Sequence, residues 1–329
     1  MTQESPAHPV PLSVEDVAHY STTILDECRT VVVGMDEALP MALASILAGG
    51  HVLFEDLPGL GKTMAARCLA TTLGLEFTRL QCTPDLLPSD VTGSSVWDPT
   101  TGAFTFRPGP VFTGLLLADE INRAAPRTQA ALLEAMSESQ VSVEGITRKL
   151  PSPFHMIATS NPVEFEGTFP LPEAQLDRFM VRLAVGTPTH ADEFTIINRR
   201  LTRQRPDIDL SPVIDAQTLL AMQVGVEQVG VEQSVVDYAI AIAQGTRAAE
   251  DVLVGASPRG TQSLVLLARA WAVMHGRSVV TPDDVAQCAI PALAHRLTLS
   301  TSAWANGVKT QEIMRDVLNR TPAPCVVRQ

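Results

Sequence analysis

Apolar residues recur along this chain in two rhythms, and the change from one to the other divides it. From residue 13 to about 188, short apolar runs alternate with amphipathic stretches of three-to-four spacing. Runs at 51–54, 76–81, 114–118, 154–160 and 180–185 have the length of strands, and 62–73 and 127–137 read as helices between them. That alternation predicts an α/β unit with a parallel five-stranded sheet flanked by helices. Ahead of it, Ser13 followed three residues later by Asp16 marks a helix start, and Val17, Ile24, Leu25 and Cys28 supply the apolar stripe. The segment Val31-Val32-Val33-Gly34 ends that helix. A second helix follows over 37–48, with Pro40 at a kink or in its first turn.

Two β-hairpins interrupt the alternation. One pairs 94–97 with 103–107 across the turn-rich stretch 98–102, and the other pairs 140–143 with 146–150 across Glu144-Gly145. Beyond Thr187-Pro188 the pattern is helical, at 190–203, 216–222, 232–248, 258–275 and 282–293, with Ser257-Pro258 and Thr281-Pro282 as cap-plus-proline starts. The expected organisation is a flexible tail over 1–12, an α/β core over 13–188 and a smaller all-helical domain over 189–329. The pentapeptide Val-Gly-Val-Glu-Gln occurs in tandem at 224–228 and 229–233. It is too short for a solenoid repeat and reads as a local duplication between two helices.

Composition narrows the function. With 329 residues, 45% of them hydrophobic, the chain can bury one large core and a smaller one. A net charge of −12 disfavours nucleic acid and anionic membranes as partners. No apolar stretch is long enough to insert into a bilayer. The five cysteines, Cys28, Cys68, Cys82, Cys288 and Cys325, show no CxxC spacing and read as reduced thiols of a cytoplasmic protein. The start Met1-Thr2-Gln3-Glu4 has neither the basic nor the apolar region of a secretory signal.

The chemistry concentrates in a few short segments. Asp56-Leu57-Pro58-Gly59-Leu60-Gly61-Lys62-Thr63, with Met64 beyond it, follows an apolar strand and opens a helix. It fits the phosphate-loop pattern G-x-x-x-x-G-K-[ST] except that Asp56 stands at the first glycine. Backbone N–H groups and the helix N-terminus would face the phosphates, Lys62 would neutralise them, and the Thr63 hydroxyl would ligate Mg²⁺. Asp56, a carboxylate near polyphosphate, is expected to point away from it. The run 115–118 ends in Asp119-Glu120. Alone, such a pair reads as a solvated acidic turn; downstream of a phosphate loop, Asp119 reads as a magnesium ligand and Glu120 as general base for the attacking water. Asn161 closes the next strand, where an amide can orient that water, although Asn before Pro162 is also an ordinary turn residue. Arg178 and Arg259 are candidates to reach a γ-phosphate; either alone could be a surface ion pair.

Taken together these segments resemble the MoxR family of AAA+ ATPases. The resemblance is carried by 55–63, 83–93 (TPDLLPSDVTG), 107–120 (RPGPVFTGLLLADE), 121–124 (INRA), 158–164 (ATSNPVE), 167–179 (GTFPLPEAQLDRF) and 255–259 (GASPR), in family order over nearly the whole chain. It implies an ATP- and Mg²⁺-dependent motor with a P-loop core and a helical lid. Lys62 and Thr63 would be the Walker A pair, Asp119 and Glu120 the Walker B pair, and Asn161 sensor 1. Arg178 would be an arginine finger acting on a neighbouring subunit, and Arg259 a lid arginine acting on its own subunit's nucleotide. The backbone at Val33 and Gly34 would line the adenine site. Met35, where the family usually has Gln, and Pro40 depart from the pattern. The family form is a ring, usually a hexamer, with chaperone-like action on client proteins that often carry a von Willebrand A domain. The alternatives are a metal-chelatase-type motor subunit, sharing the chemistry with a different partner, and a nucleotide-gated binding module with little turnover.

Overall fold

The computed structural model describes residues 9–162, 167–204 and 209–324. The tail expectation for 1–8, the motif residues Val163 and Glu164, and Cys325 lie outside the described residues. In chain order the elements are α1 (Val14–Arg29), α2 (Ala38–Leu47), β1 (Val52–Glu55), α3 (Lys62–Thr72), β2 (Phe77–Gln81), α4 (Pro88–Thr92), β3 (Gly93–Asp98), β4 (Ala103–Pro108), β5 (Leu115–Asp119), α5 (Pro126–Glu138), β6 (Gln140–Val143), β7 (Ile146–Lys149), β8 (His155–Ser160), α6 (Glu173–Leu176), β9 (Val181–Leu183), α7 (His190–Arg203), α8 (Ala216–Glu227), α9 (Gln233–Ala248), β10 (Val252–Val254), α10 (Pro258–Met274), α11 (Pro282–Leu293), β11 (Thr298–Leu299), α12 (Thr301–Ala305) and α13 (Thr310–Arg320).

The sheet has five strands in the order β2-β5-β8-β1-β9, and every pairing is parallel. Its central strands read as continuous apolar runs because helices cover both faces: every residue of β5 and β8 is buried. One core lies between the sheet and α1, α2, α3 and α10, with Val17, Ile24, Leu43, Leu69 and Leu267 in it. The other lies under α5, with Leu116, Leu132, Met156 and Phe179. Register brings the carboxyl ends of the strands level, Gln81 opposite Asp119, Ala118 opposite Ala158 and Glu55 opposite Ser160. Strand order reverses next to β1, and the crevice outside strand ends at such a point is where open α/β sheets bind ligands.

Ser13 caps α1 as expected, accepting from the Asp16 amide at 3.1 Å. Pro40 falls in the first turn of α2 and is buried. Both hairpins form, and they are joined: the Ser95 hydroxyl bonds to Glu144, and the Arg148 guanidinium lies 3.8 Å over the Phe106 ring. The short α4 and α6, the β10–β11 pair, α12 and α13 have too few residues or too polar a pattern to stand out in the sequence.

Two expectations need correction. The tail is held at its inner end: the Leu12 amide donates to Ala221 O of α8 at 3.2 Å. The tandem pentapeptide does not lie wholly between two helices. Its first copy completes α8, which runs to Glu227, and its second copy is the extended lead-in to α9. Gly225 sits in the helix against the Leu12 carbonyl, whereas Gly230 forms a β-bridge with Val279. Identical residues take different backbone conformations because tertiary contacts outweigh local propensity.

Candidate nucleotide site

The phosphate loop runs from β1 into α3. Gly59 and Gly61 hold φ of 82° and 85°, the left-handed region that glycine enters without penalty, and Gly61 is the N-cap of α3. Neither glycine brings a side chain into the loop. Lys62 lies in the first turn with its ammonium on Asp56 O. Burial lowers its pKa, opposed by the nearby charges of Asp56, Asp119 and Glu120.

Asp56 points away from the cleft. Its Oδ2 accepts from the Val185 and Gly186 amides at 2.9 and 2.7 Å, and its Oδ1 from the Leu57 amide at 2.8 Å. The residue standing at the usual glycine thus bonds the loop to the segment after β9.

The acidic pair sits at the end of β5. Asp119 is buried, and its Oδ1 accepts from Thr159 Oγ1 at 2.6 Å, while its Oδ2 lies 3.5 Å from Thr63 Oγ1. The Glu120 amide donates to the same Thr159 hydroxyl at 2.8 Å. Glu120 itself adopts φ 56°, a conformation costly for a residue with a Cβ, which turns its carboxylate off the strand line. That carboxylate accepts from Gln81 Nε2 at 2.8 Å and pairs with Arg123 at 3.0 Å. From β2, Arg79 donates to Asp119 Oδ2 at 2.6 and 3.0 Å and to Gln81 Oε1 at 2.9 Å. Sequence reading missed Arg79, Gln81 and Thr159. Their alternation on two strands that flank the acidic pair was the available signal.

Lys62, Thr63, Asp119, Glu120 and Asn161 line one cleft of about 420 Å³ together with Arg79, Gln81 and Thr159. Asn161 is buried, and its carbonyl accepts from Asn122. Beside this cleft lies a second of about 330 Å³, lined by Val33, Gly34, Leu60, Met64, Val185 and Gly186, and sharing Gly59 and Gly61 with the first. The two meet over the loop, the first lined by the charged Lys62, Arg67, Arg79, Asp119 and Glu120, the second by more apolar side chains together with Arg199, Arg200 and Arg203, a division suited to a triphosphate and its base. Thr63 and Asp119 offer a hydroxyl and a carboxylate within reach of each other, the hard oxygen donors that Mg²⁺ prefers.

Arg178 and Arg259 stand outside both clefts. The Arg178 guanidinium donates to Leu133 O of α5 at 2.6 Å. Arg259 is exposed in the first turn of α10. The two belong to one neighbourhood, since Ser257 Oγ bonds to the Asp177 carboxylate at 3.4 Å. That neighbourhood is at the amino end of β1, where the Met180 amide, two residues past Arg178, donates to His51 O at 2.9 Å. The phosphate loop leaves the opposite end of the strand.

Residues 51–181 match the ATPase family associated with various cellular activities, and residues 244–317 match the AAA lid domain. The protein YeaC of Bacillus subtilis is 43% identical over 94% of this chain and 97% of its own length. The chaperone MoxR1 of Mycobacterium tuberculosis is 37% identical over 98% of this chain and 88% of its own. A crystal structure of a candidate ATPase from Cytophaga hutchinsonii superposes with a TM-score of 0.88 at 35% identity, covering 95% of this chain and 97% of that one. With 37% identity to MoxR1 along nearly the whole chain, and the AAA+ core and the lid in order, this chain belongs to the MoxR family of AAA+ ATPases.

Proposed function

We propose that the protein hydrolyses Mg²⁺-ATP at this cleft and uses the turnover, as a ring-shaped homo-oligomer, to remodel or mature client proteins in the cytoplasm. The observation that carries the reading is the convergence of Lys62, Thr63, Asp119, Glu120 and Asn161 from three separate segments on one cleft. A protein that only binds nucleotide has no need of that full set.

In this reading the loop amides and Lys62 would hold the phosphates, and Thr63 and Asp119 would hold Mg²⁺, whose charge would stabilise the transferring phosphoryl group. Glu120 takes a proton from the attacking water, and Asn161 orients it. For Glu120 to act, its carboxylate must leave Gln81 and Arg123. The base lies in the second cleft against Val33, Gly34 and Met64.

Arg178 serves the nucleotide of a neighbouring subunit. We place Arg259 with it, facing the neighbour rather than its own subunit's nucleotide. What supports this revision is their shared position at the far end of β1 and their absence from the lining of their own cleft. A ring, of six subunits in the commonest form, follows from a site completed in trans. MoxR1 carries the name chaperone, and clients with a von Willebrand A domain are the partner class that we propose.

The test is a pair of variants. Lys62→Ala abolishes nucleotide binding, and Glu120→Gln retains ATP but stops hydrolysis. Wild-type turnover in Glu120→Gln removes the general-base assignment, and unchanged ATP affinity in Lys62→Ala removes the site.

A further inference from the structure

Asp56 replaces the first glycine of the loop pattern, and its contacts go beyond avoiding the phosphates. One residue engages five groups. Its amide donates to Ser160 O at 3.2 Å, its carbonyl receives the Lys62 ammonium, and its carboxylate accepts from the amides of Leu57, Val185 and Gly186. Val185 and Gly186 lie between the end of β9 and the start of α7, on the only covalent path from the sheet into the lid. Gly186 has φ of 77°, so its amide direction is fixed by a turn that other residues resist. Both residues also line the second cleft, as do Val33 and Gly34.

The next turn reinforces the arrangement. Asp192 caps α7 and its side chain lies along Gly34, and Arg199 donates to the carbonyls of Arg29 and Thr30 at 2.8 Å each. The segment leaving the sheet is therefore attached to the apolar cleft from one side by Arg199, and to the phosphate loop from the other by Asp56. A glycine at position 56 offers no acceptor to the two amides.

We infer that Asp56 is a positioning residue that couples the phosphate cleft to the base cleft. The inference rests on the nucleotide reading given above. Lys62 has two uses for its ammonium, the Asp56 carbonyl and a bound phosphate. A phosphate that draws the ammonium away leaves the 56–57 peptide held only through its Leu57 amide, which is bonded to the Asp56 carboxylate, so peptide and carboxylate tilt together. The carboxylate carries Val185 and Gly186 with it, so filling the polar cleft draws the apolar wall toward the base. The base then adds more to affinity in the intact chain than it can when the carboxylate is absent.

The experiment compares Mg²⁺-ATP with Mg²⁺-tripolyphosphate, which has the phosphates and no base, on full-length wild type, Asp56→Gly and Asp56→Asn. Thermal melting checks that each is folded. In wild type ATP binds more tightly than tripolyphosphate, and amide exchange at Val185 and Gly186 slows on adding either ligand. In Asp56→Gly the advantage of ATP over tripolyphosphate falls by about tenfold, the size of a charge-assisted hydrogen-bond contribution, and the exchange change at 185–186 disappears. Asp56→Asn, which keeps an acceptor oxygen, restores much of both. An unchanged ATP advantage with unchanged exchange in Asp56→Gly overturns the inference. So does an Asp56→Asn protein as impaired as Asp56→Gly. Wild type that binds neither ligand instead removes the nucleotide reading itself.

Discussion

Thr159 Oγ1 donates to Asp119 Oδ1 at 2.6 Å and accepts from the Glu120 amide at 2.8 Å, so a single hydroxyl on β8 fixes both residues of the acidic pair. Thr159→Val keeps the shape and removes both bonds. It leaves a buried carboxylate oxygen and an amide unpaired, at a cost of about 1–3 kcal/mol. Under the proposed reading, ATP turnover falls further than ATP affinity, because the pair loses its direction and the loop stays intact. Urea unfolding and a comparison of kcat with KM check the two halves, and equal loss in both parameters rejects a positioning role for the hydroxyl.

Mixing variants tests the assignment across subunits. Arg178→Ala and Glu120→Gln proteins are each expected to be inactive, and mixtures regain part of the wild-type ATPase rate where an intact Arg178 meets a neighbour with an intact Glu120. Arg259→Ala mixed with Glu120→Gln behaves the same way if Arg259 also faces a neighbour. Mixtures no faster than their components, across all ratios, remove the trans assignment.

The core histidines give a pH signature. His51 donates to Met136 O and accepts from the Met156 amide, and His155 bonds to Gly50 O and Gln223. Burial holds the two rings neutral, lowering them from 6.5 to about 3 and about 4. A folded-state pKa below the unfolded one means stability is complete above pH 6.5 and is lost as pH falls below it, because the unfolded chain takes up protons that the folded chain refuses. Each ring contributes about 1.4 kcal/mol per pH unit in that range. Urea midpoints should fall steeply from pH 6.5 to pH 5, and less steeply in His155→Gln.

The four described cysteines are buried, and burial pushes the Cys82 and Cys68 thiols up to about 12 and the Cys28 thiol to about 11. Alkylation at pH 8 should leave Cys28, Cys68, Cys82 and Cys288 unmodified in the native protein, and label them after unfolding. Rapid labelling of Cys82 in the native state would show that the end of β2 opens.

The tandem repeat offers a matched pair of substitutions. A Cβ on Gly225 meets Leu12 O at 2.7 Å, whereas on Gly230 it meets ordinary contacts at 3.6 Å. Gly225→Ala should displace the Leu12 segment from α8, costing about 1–2 kcal/mol and exposing residues 9–12 to proteolysis, while Gly230→Ala stays within about 0.5 kcal/mol of wild type. Equal effects would show that the Leu12 contact contributes nothing.

The α/β core was readable because buried parallel strands keep unbroken apolar runs such as Leu115–Ala118, and because caps such as Ser13 and Ser257 announce helices locally. The loop and the acidic pair were readable because adjacent residues carry their chemistry. Asp56 turns to the amides of Val185 and Gly186, which donate to it from 129 and 130 positions away, and no local pattern records such a bond. The same holds for Arg79 and Gln81, ordinary polar residues until β2 pairs with β5. The repeat misled for the converse reason: identical local sequence met different neighbours.

The joined hairpins are mounted on an anchored helix. α5 begins a few residues after Glu120, runs for 13 residues and ends directly in β6. At 1.5 Å per residue it is about 20 Å long, and His51 and Arg178 bond to its Met136 and Leu133 carbonyls. The Ser95–Glu144 and Phe106–Arg148 contacts join the two hairpins beyond its far end. The exposed Trp97 and Phe104, in edge contact at 5.2 Å on the first hairpin, are thus carried by a braced support.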